Sequence, residues 1–361
     1  MKVAVTGGTG FLGAFLIFRL LKVTDAHLFC LTRSIENDDA SIRFWERFSN
    51  YFGITFSDRI TVVEGDILKQ NLSIKIKFNI DTVYHIAGAV SHYGKLEQSL
   101  DVNFNGTKNV MDWSIQNNVD RFNYFSTVAV SGLTSDDKLK FFEMDLNYGQ
   151  NFSNHIYSKS KFLSEKYISD QKADILVNIF RLGNIGGRFK DGLFQYNLKE
   201  NNIYTQLIAL SKIGMYTKSI ENLSIDLLPV DKTINSVVDV SLIENKKLNT
   251  FHFLLKDTYK ISDIVMGFHT NGVSLKLVDD DTFQNRLEEL NQQSVKNYDL
   301  NAIKILFYTN RNQRDDDNYR YPEIITEATH QYLNKQNIKH PYDKTQYLFN
   351  VLNYLITNNL I

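Results

Sequence analysis

The chain has 361 residues, of which 43% are apolar, and a formal net charge of −1 at pH 7. This length and apolar content exclude a disordered protein and allow one large α/β domain with a smaller appended region, or two modest domains. Because basic residues are not in excess, nothing in the charge indicates a nucleic-acid partner. The sequence also has no acidic tail that would indicate a basic partner.

Continuous apolar segments alternate with segments of helical length along the first half of the chain. The predicted strands cover Lys2–Thr6, His27–Thr32, Ile60–Glu64, Thr82–His85, Phe122–Phe125 and Ile175–Phe180. The predicted helices cover Phe11–Lys22, Ser41–Phe52, Asn105–Gln116 and Tyr157–Ser169. This alternation is typical of a parallel sheet covered by helices on both faces. The sequence therefore predicts an α/β fold with a doubly wound parallel Rossmann sheet.

A glycine-rich turn joins the first predicted strand to the first predicted helix. Its residues with a predicted cofactor contact are Thr6, Gly7, Thr9, Gly10, Phe11, Leu12 and Gly13. Glycines at GxxGxxG spacing permit a tight turn, a close approach of the backbone to a pyrophosphate and close packing of the helix on the strand. The start of the helix offers N–H groups and the positive end of its dipole. In this setting the motif predicts dinucleotide binding; the alternative is a glycine-rich turn without a ligand.

Arg33 follows the second predicted strand, where an NAD-specific site places an acidic residue on the ribose hydroxyls. A guanidinium there suits a 2′-phosphate, so the sequence favours NADPH over NADH; the alternative is an arginine that faces solvent. Asp66 and Ile67 follow the third predicted strand, at the edge where adenine would lie. Asp66 is expected to accept from the adenine amino group, and an ordinary loop aspartate is the alternative.

Tyr157 and Lys161 form a YxxxK pair on one face of a predicted helix. A phenol has a pKa of about 10, and a nearby ammonium is expected to lower the pKa of Tyr157 and fit it for acid–base work. Lys161 is also expected to bind the nicotinamide ribose. Thr127, after the fifth predicted strand, is expected to donate to a substrate carbonyl and to the oxyanion formed from it. Ser126 is the competing hydroxyl.

Other polar residues have less specific interpretations. Gly183, Asn184 and Ile185 follow the sixth predicted strand and are expected to contact the nicotinamide end of the cofactor. The histidines lack the spacing of metal ligands, and His85 and His252 are expected to be structural. The sequence has no GxSxG elbow, which argues against serine hydrolysis.

Together these residues resemble the extended short-chain dehydrogenase/reductase family, from the N-terminus to about residue 252. The segments that carry the resemblance are TGGTGFLG, Gly65–Ile67, Tyr84–Gly88, Asn103–Thr107, Ser126–Val130, the helix with Tyr157, Ser160, Lys161 and Glu165, and Leu228–Asp231. The resemblance implies catalysis by Thr127, Tyr157 and Lys161. It also implies further cofactor contacts from Ala87, Gly88, Ala89 and Asn103.

Within that family the chain looks most like the thioester reductase branch. This branch comprises the terminal reductase domains of nonribosomal peptide synthetases and carboxylic acid reductases, which are related to fatty acyl-CoA reductases. The closer match rests on Arg33 followed by a long helix over residues 40–51, on Ala89–Gly94, and on Asp226–Asp231 ahead of Thr250–His252.

The resemblance implies a reaction and a partner. Hydride from NADPH reduces an acyl thioester, Thr127 and Tyr157 stabilise and protonate the oxyanion, and the resulting thiohemiacetal releases an aldehyde. A second hydride would give an alcohol. The implied partner is an acyl or peptidyl carrier protein bearing phosphopantetheine, or coenzyme A.

Beyond about residue 188 the strand and helix pattern weakens. Residues 1–188 are predicted to form an NADPH-binding Rossmann domain, with residues 224–255 returning to the sheet. Residues 189–223 and 256–361 are predicted to form a smaller C-terminal substrate-binding region, in which residues 310–319 are an exposed loop. Four aromatic residues there either line an acyl pocket or belong to an ordinary core: Phe194, Tyr196, Tyr204 and Tyr216.

Two other functions stay open at this point. The first is an extended short-chain dehydrogenase acting on a nucleotide sugar or a free carbonyl compound, which in the sugar case should retain its cofactor tightly and recognise a nucleoside diphosphate. The second is a non-catalytic NADP-binding regulatory protein. The complete set of Thr127, Tyr157 and Lys161 argues against the second.

The cellular compartment is inferred from what the sequence lacks. The single cysteine, Cys30, excludes an intramolecular disulfide and a cysteine metal cluster, which indicates a reducing cytoplasm. The first predicted strand begins at residue 2, so no signal peptide is expected, and the chain is either a complete small protein or a domain excised from a longer one. No stretch reaches the ~18 apolar residues of a transmembrane helix, so no membrane partner is expected.

Overall fold

The structure is a computed structural model. It describes residues 1–35, 38–74, 79–89, 100–134, 140–152, 155–198, 201–243, 248–293 and 320–361. Two features of the sequence analysis, residues 90–94 of the family resemblance and the predicted loop over residues 310–319, lie outside the described residues.

The described elements are mostly short strands and medium-length helices. In chain order the strands are β1 Lys2–Thr6, β2 His27–Thr32, β3 Ile60–Glu64, β4 Thr82–His85, β5 Arg121–Thr127, β6 Lys140–Phe141, β7 Leu176–Leu182, β8 Ile185–Gly186, β9 Met215–Thr217, β10 Ser224–Ile225, β11 Leu228–Pro229, β12 Leu248–Phe253, β13 Tyr259–Lys260, β14 Lys276–Val278 and β15 Glu323–Ile324. The α-helices are α1 Phe11–Val23, α2 Ala40–Phe52, α3 Gly106–Gln116, α4 Ile156–Ser169, α5 Asn202–Ile213, α6 Lys218–Glu221, α7 Val230–Ser241, α8 Ile261–Thr270, α9 Asp280–Gln293, α10 Glu327–Lys335 and α11 Lys344–Thr357. Single helical turns cover Gln70–Ser73, Asp101–Asn105 and Val128–Ser131.

The main sheet has seven parallel strands in the order β12-β7-β5-β4-β1-β2-β3. The predicted doubly wound parallel sheet is thereby confirmed. The chain adds β2 and β3 on one side of β1 and then returns to place β4 on the other side. In such sheets ligands bind at the carboxyl ends of the strands where the order reverses. That point lies between β1 and β4, where Thr6 pairs with His85.

The described residues divide into two compact units. The first comprises Met1–Gly183, Thr233–Phe253 and Asn318–His340; the second comprises Asn184–Lys232, Leu254–Asp317 and Pro341–Ile361. This division differs from the predicted one at several boundaries, since residues 184–188 and 254–255 fall in the second unit. Residues 224–232 belong to the second unit, because β10 pairs with β13 and β11 with β8. Residues 320–340 belong to the first unit, where β15 pairs with β6.

In the first unit, α2 shows how the helices cover the sheet. The Asp39 carboxylate caps the start of α2 by accepting the N–H groups of Ser41 and Ile42. The side chains of Ala40, Phe44 and Phe48 recur at four-residue spacing and are all buried. This single apolar stripe packs against the unit's core and leaves the other side of the helix polar.

In the second unit, aromatic side chains build the core. Phe194 and Tyr204 are buried and stacked, with ring centroids 3.9 Å apart, and the Tyr204 hydroxyl accepts the N–H of Gly187 at 2.8 Å. These two residues are therefore ordinary core rather than a pocket lining. Tyr196, by contrast, is 73% exposed, and Tyr216 is half-buried.

A buried ion pair fixes α4 against the sheet of the first unit. Arg181 on β7 donates to the Glu165 carboxylate on α4 at 2.7 Å, with side-chain exposures of 2% and 0%. Ser126 on β5 also donates to Glu165. Nδ1 of His252 donates to Ile325 O at 2.6 Å and therefore carries the ring proton. Nε2 of the same ring is left as an acceptor, and Nη1 of Arg181 donates to it at 3.0 Å. The expectation that His252 is structural agrees with this arrangement.

Replacing Arg181 by Met is expected to lower the free energy of unfolding by about 3–5 kcal/mol, because the Glu165 carboxylate stays buried without its partner. The matched control is Arg286→Met, which removes a pair with Glu289 whose side chains are 34% and 61% exposed. That loss should be under about 1 kcal/mol. Chemical denaturation followed by circular dichroism measures both variants, and equal losses would contradict the prediction.

Candidate cofactor-binding and active site

The turn between β1 and α1 has a geometry that requires glycine. Gly7 has a φ of +78°, and a Cβ atom added to it would lie 2.6 Å from the backbone N of Ala87. A Cβ added to Gly13 would lie 2.1 Å from the carbonyl oxygen of Gly7. Gly10 closes the turn by donating its N–H to that same oxygen at 3.0 Å. Side chains at Gly7 or Gly13 would therefore push α1 away from the sheet.

The same turn fits the phosphates of a dinucleotide. Helix α1 begins after the exposed Gly10, which has no side chain to cap the helix, and its first turn carries no acidic residue. Its N–H groups and the positive end of its dipole thus suit an anion. Thr9 and Leu12 are half-buried beside the turn, and Phe11 is buried.

Arg33 is exposed just beyond the end of β2, and a second arginine joins it. The Arg43 guanidinium on α2 donates to the carbonyl oxygen of Arg33. Burial lowers the pKa of Arg43, as do the positive charges of Arg33 and Arg47, while Asp38 raises it. Sequence reasoning missed Arg43. The signal lay in the spacing, because Arg43 precedes Phe44 of the buried stripe and so lies at the edge of the α2 face that packs on the sheet.

Asp66 and Ile67 form a turn after β3. Oδ1 of Asp66 accepts the N–H of Leu68 at 3.0 Å. Ile67 is buried, its carbonyl oxygen accepts from Asn109 at 2.8 Å, and a Cβ on Gly106 would lie 2.7 Å from its side chain. Both residues thus shape this edge of the sheet, and the predicted contact of Asp66 with adenine stays a prediction.

Asn103 connects the loop after β4 to helix α4. Its buried amide accepts the N–H of Ala89 at 2.8 Å and donates to Ala89 O and to Oγ of Ser160, each at 3.0 Å. A Cβ on Gly88 would lie 3.0 Å from Oδ1 of Asn103 and 3.4 Å from Nζ of Lys161. The structure thus brings Gly88, Ala89, Asn103 and Lys161 together, as a shared site requires.

Lys161 and Tyr157 are both perturbed by burial. Nζ of Lys161 donates to the carbonyl oxygen of Phe125 at 2.8 Å, and burial lowers the pKa of Lys161 to about 8, against the opposite effect of Glu165. Burial raises the pKa of Tyr157 to about 12. The expected lowering of the Tyr157 pKa by the ammonium is therefore wrong for this structure. Desolvation of the phenol causes this rise, and the Lys161 ammonium donates to Phe125 O.

The two candidate hydroxyls at the end of β5 face different surroundings. Ser126 is buried and donates to Glu165, so its proton is committed to the ion pair with Arg181. Thr127 is half-buried, and its hydroxyl accepts the N–H of Ala129 at 3.2 Å. Accepting that N–H leaves the Thr127 proton for donation. The geometry thus favours Thr127 over Ser126.

His85 links the glycine turn to Asn103. The sequence indicated that His85 is structural but did not reveal this link. Its Nδ1 is 2.7 Å from the Thr6 hydroxyl, and its Nε2 is 2.9 Å from the Thr107 hydroxyl. The Thr107 proton goes to Asn103 O at 2.5 Å. Nε2 therefore carries the ring proton, and Nδ1 accepts from Thr6. Burial and the charge of Lys161 lower the pKa of His85 to about 3, which keeps the ring neutral.

The remaining predicted cofactor residues lie where the two units meet in sequence. Gly183 belongs to the first unit and donates its N–H to Phe253 O at 2.8 Å. Asn184 and Ile185 belong to the second unit. The N–H of Asn184 donates to Asp226 at 3.1 Å, and burial raises the pKa of that carboxyl to about 6. The predicted contact of these residues with the nicotinamide end stays a prediction.

Neither a metal centre nor a membrane-spanning helix is found in the described part of the chain. No group of three or more His, Cys, Asp or Glu side chains there is arranged to hold a metal ion. None of the helices described is both long enough and apolar enough to span a bilayer.

Known proteins show similarity over most of this chain. It is 23% identical over 295 residues to a linear gramicidin synthase polypeptide of Brevibacillus parabrevis, and the match covers 79% of this chain but only 6% of that synthase. A thiolation-reductase di-domain of an archaeal non-ribosomal peptide synthetase has a TM-score of 0.83 at 24% identity, covering 99% of this chain and 75% of that one. The terminal R domain of the myxalamid PKS-NRPS pathway has a TM-score of 0.80 at 22% identity, covering 100% and 91%.

These structural similarities establish the fold, and the predicted resemblance to the reductase domains of peptide synthetases is confirmed. A family model described as "Male sterility protein" matches residues 5–237, from β1 into α7 and so across the glycine turn, Thr127, Tyr157 and Lys161. The chain therefore belongs to this NAD-binding family.

Proposed function

We propose that the chain is an NADPH-dependent reductase that releases an acyl or peptidyl thioester as an aldehyde. The thioester would be carried by the phosphopantetheine of a carrier protein or by coenzyme A. One observation carries the proposal: the Lys161 ammonium donates to the carbonyl oxygen of Phe125 on β5, two residues before Thr127, and lies beside Gly88 of the loop that follows β4. Family membership and the similarity to reductase domains support the same reaction.

The residues divide the work of the reduction. A nicotinamide cofactor, when bound, would supply the hydride to the thioester carbonyl carbon. Thr127 donates a hydrogen bond from its hydroxyl to the oxyanion as it forms and keeps its proton. Tyr157, whose pKa of about 12 keeps it protonated at neutral pH, transfers its proton to that oxygen, giving a thiohemiacetal that expels the thiol. The Lys161 ammonium stabilises the phenolate left on Tyr157.

The preference for NADPH rests on Arg33 and Arg43. Two guanidiniums beside the end of β2 place positive charge where the adenosine ribose would lie, and a 2′-phosphate would offset their mutual repulsion. Asp66, Asn103 and the glycine turn complete the proposed cofactor site. The first unit would thus bind the cofactor, and the second unit would contribute to substrate binding.

The first experiment measures NADPH oxidation with acyl-coenzyme A and acyl-pantetheine thioesters and with the matched free aldehydes. Thioester-dependent oxidation is expected, with a loss of about 100-fold or more in kcat for Tyr157→Phe, because the proton donor is removed. Product analysis separates aldehyde from alcohol. Turnover of aldehydes alone would instead make the chain a carbonyl reductase. Turnover of nucleotide sugars alone would favour the sugar-modifying members of the family, and cofactor binding without any turnover would favour a regulatory protein.

A second experiment compares the two hydroxyls at the end of β5. Thr127→Val is expected to lower kcat by about 100-fold to 1,000-fold, because a donor to the oxyanion is lost. Thr127→Ser should restore most of the rate. Ser126→Ala is the control, which should retain turnover while losing about 1 kcal/mol of stability through its missing bond to Glu165. A larger rate loss in Ser126→Ala than in Thr127→Val would reverse the assignment.

A third experiment tests the cofactor preference by titrating NADPH and NADH separately. Arg33→Ala and Arg43→Ala are each expected to weaken NADPH binding by about tenfold or more, because a charge-assisted hydrogen bond to phosphate is worth roughly 1.5–3 kcal/mol. NADH, which lacks the 2′-phosphate, serves as the internal control and should bind each variant as it binds the unsubstituted chain. Equal losses for both cofactors would contradict a phosphate contact.

A further inference from the structure

The Lys161 ammonium lies over the face of an aromatic ring. Tyr124 on β5 is fully buried, and Nζ of Lys161 is 4.8 Å from the centroid of its ring. The hydrogen bond of Nζ to Phe125 O holds the ammonium at this height. A desolvated ammonium at this distance from a ring face is attracted by the negative charge of the π-electrons.

The other titratable groups that face Lys161 do not replace the contact with the Tyr124 ring, because one is shared with other partners and two are neutral. Glu165 on α4 favours the ammonium, but its carboxylate is shared with Arg181 and Ser126. His85 on β4 stacks on the Tyr124 ring at 5.7 Å between centroids and is neutral, since its pKa is about 3. Tyr157 on α4 is neutral as well, with a pKa of about 12.

We propose that Tyr124 is a positioning residue for Lys161. The face of the Tyr124 ring holds the Lys161 ammonium beside β5 and keeps it charged. The contact belongs to the folded chain whatever the substrate. Its meaning for catalysis rests on the proposed function, in which the Lys161 charge lies beside the cofactor ribose and Tyr157. Tyr124 acts through Lys161 and is given no contact with substrate.

The hydroxyl of Tyr124 makes a clean control available. It is buried, and in the described part of the structure the Thr107 and Ser164 hydroxyls lie beside it without donating to it. The neighbouring hydroxyls of Thr107 and Ser164 donate to Asn103 O instead. Tyr124→Phe therefore keeps the ring and removes only the hydroxyl, whereas Tyr124→Leu keeps an apolar side chain and removes the ring and the hydroxyl together. The two variants differ from each other in the ring alone.

The first measurement is NADPH affinity from about pH 6 to about pH 10, followed by quenching of protein fluorescence, for the unsubstituted chain and both variants. Affinity should fall as Lys161 loses its proton near pH 8. The fall should occur at the same pH in Tyr124→Phe. In Tyr124→Leu it should move to lower pH by about one unit, which is the shift expected for losing a desolvated cation–π contact. Coincident curves for the Phe and Leu variants would overturn the proposal.

The second measurement needs no cofactor and no turnover: denaturant unfolding of the same chains across the same pH range. The folded-state pKa of Lys161, about 8, lies below the unfolded value of ~10.4. Between these values the unfolded chain holds more protons, so the contribution of Lys161 to stability rises with pH. In Tyr124→Leu that rise should begin about one pH unit lower than in Tyr124→Phe. It should be absent when Lys161→Met is added to either variant.

The two measurements separate this proposal from the proposed function. A constant, pH-independent difference in stability between Tyr124→Leu and Tyr124→Phe would mean that the ring is only packing, and the proposal would be wrong. If the stability curves separate as expected but no chain binds NADPH, the positioning role stands and the reductase function fails.

Discussion

The ammonium of Lys161 is buried inside the protein, and much of the first unit is arranged around that charge. Burial disfavours the charged form and lowers the pKa of Lys161 to about 8. The Phe125 carbonyl, the Tyr124 ring and the Glu165 carboxylate act in the opposite direction. Glu165 would itself be an uncompensated buried charge without Arg181 on β7. A charge on α4 therefore demands partners on β5 and β7, so the packing of this helix and the chemistry of its lysine are determined together.

The sheet could be predicted because each of its strands carries its own signal. A strand buried on both faces of a parallel sheet is a continuous apolar run, and β1 to β4 begin and end where such runs do. The second unit lacks this signal, because β8, β10 and β11 are two residues long and pair with distant segments. Residues 224–230 have the pattern of one strand, yet Asp226 interrupts them. Its carboxylate accepts the N–H groups of Asn184 and Leu255, which are far away in sequence and leave no local pattern.

The residues of the candidate site could be predicted from the sequence, but the burial and orientation of their side chains could not. Spacing alone places Tyr157 and Lys161 on one helical face, and the glycine turn is fixed by the close approach of Gly13 to Gly7. Spacing does not reveal how deeply a phenol is buried, which is why the direction of the Tyr157 pKa was wrong. Arg43 was not predicted for a related reason. Its position depends on the rotation of α2, which turns its guanidinium toward the end of β2.

A row of hydrogen bonds through His85 connects the glycine turn to Asn103, which bonds to Ser160 on α4, and no member of the row is charged. Thr6 donates to His85, His85 donates to Thr107, and Thr107 donates to Asn103 O, so each proton in the row has one assigned acceptor. A protonated His85 could no longer accept from Thr6 and would place a second positive charge near Lys161. Complete burial and the lysine itself prevent this by lowering the His85 pKa to about 3. Lys161 thus helps to keep His85 neutral, and His85 in turn orders the residues around Lys161. The row retains one pattern of donors and acceptors between about pH 3, where His85 gains a proton, and about pH 8, where Lys161 loses one.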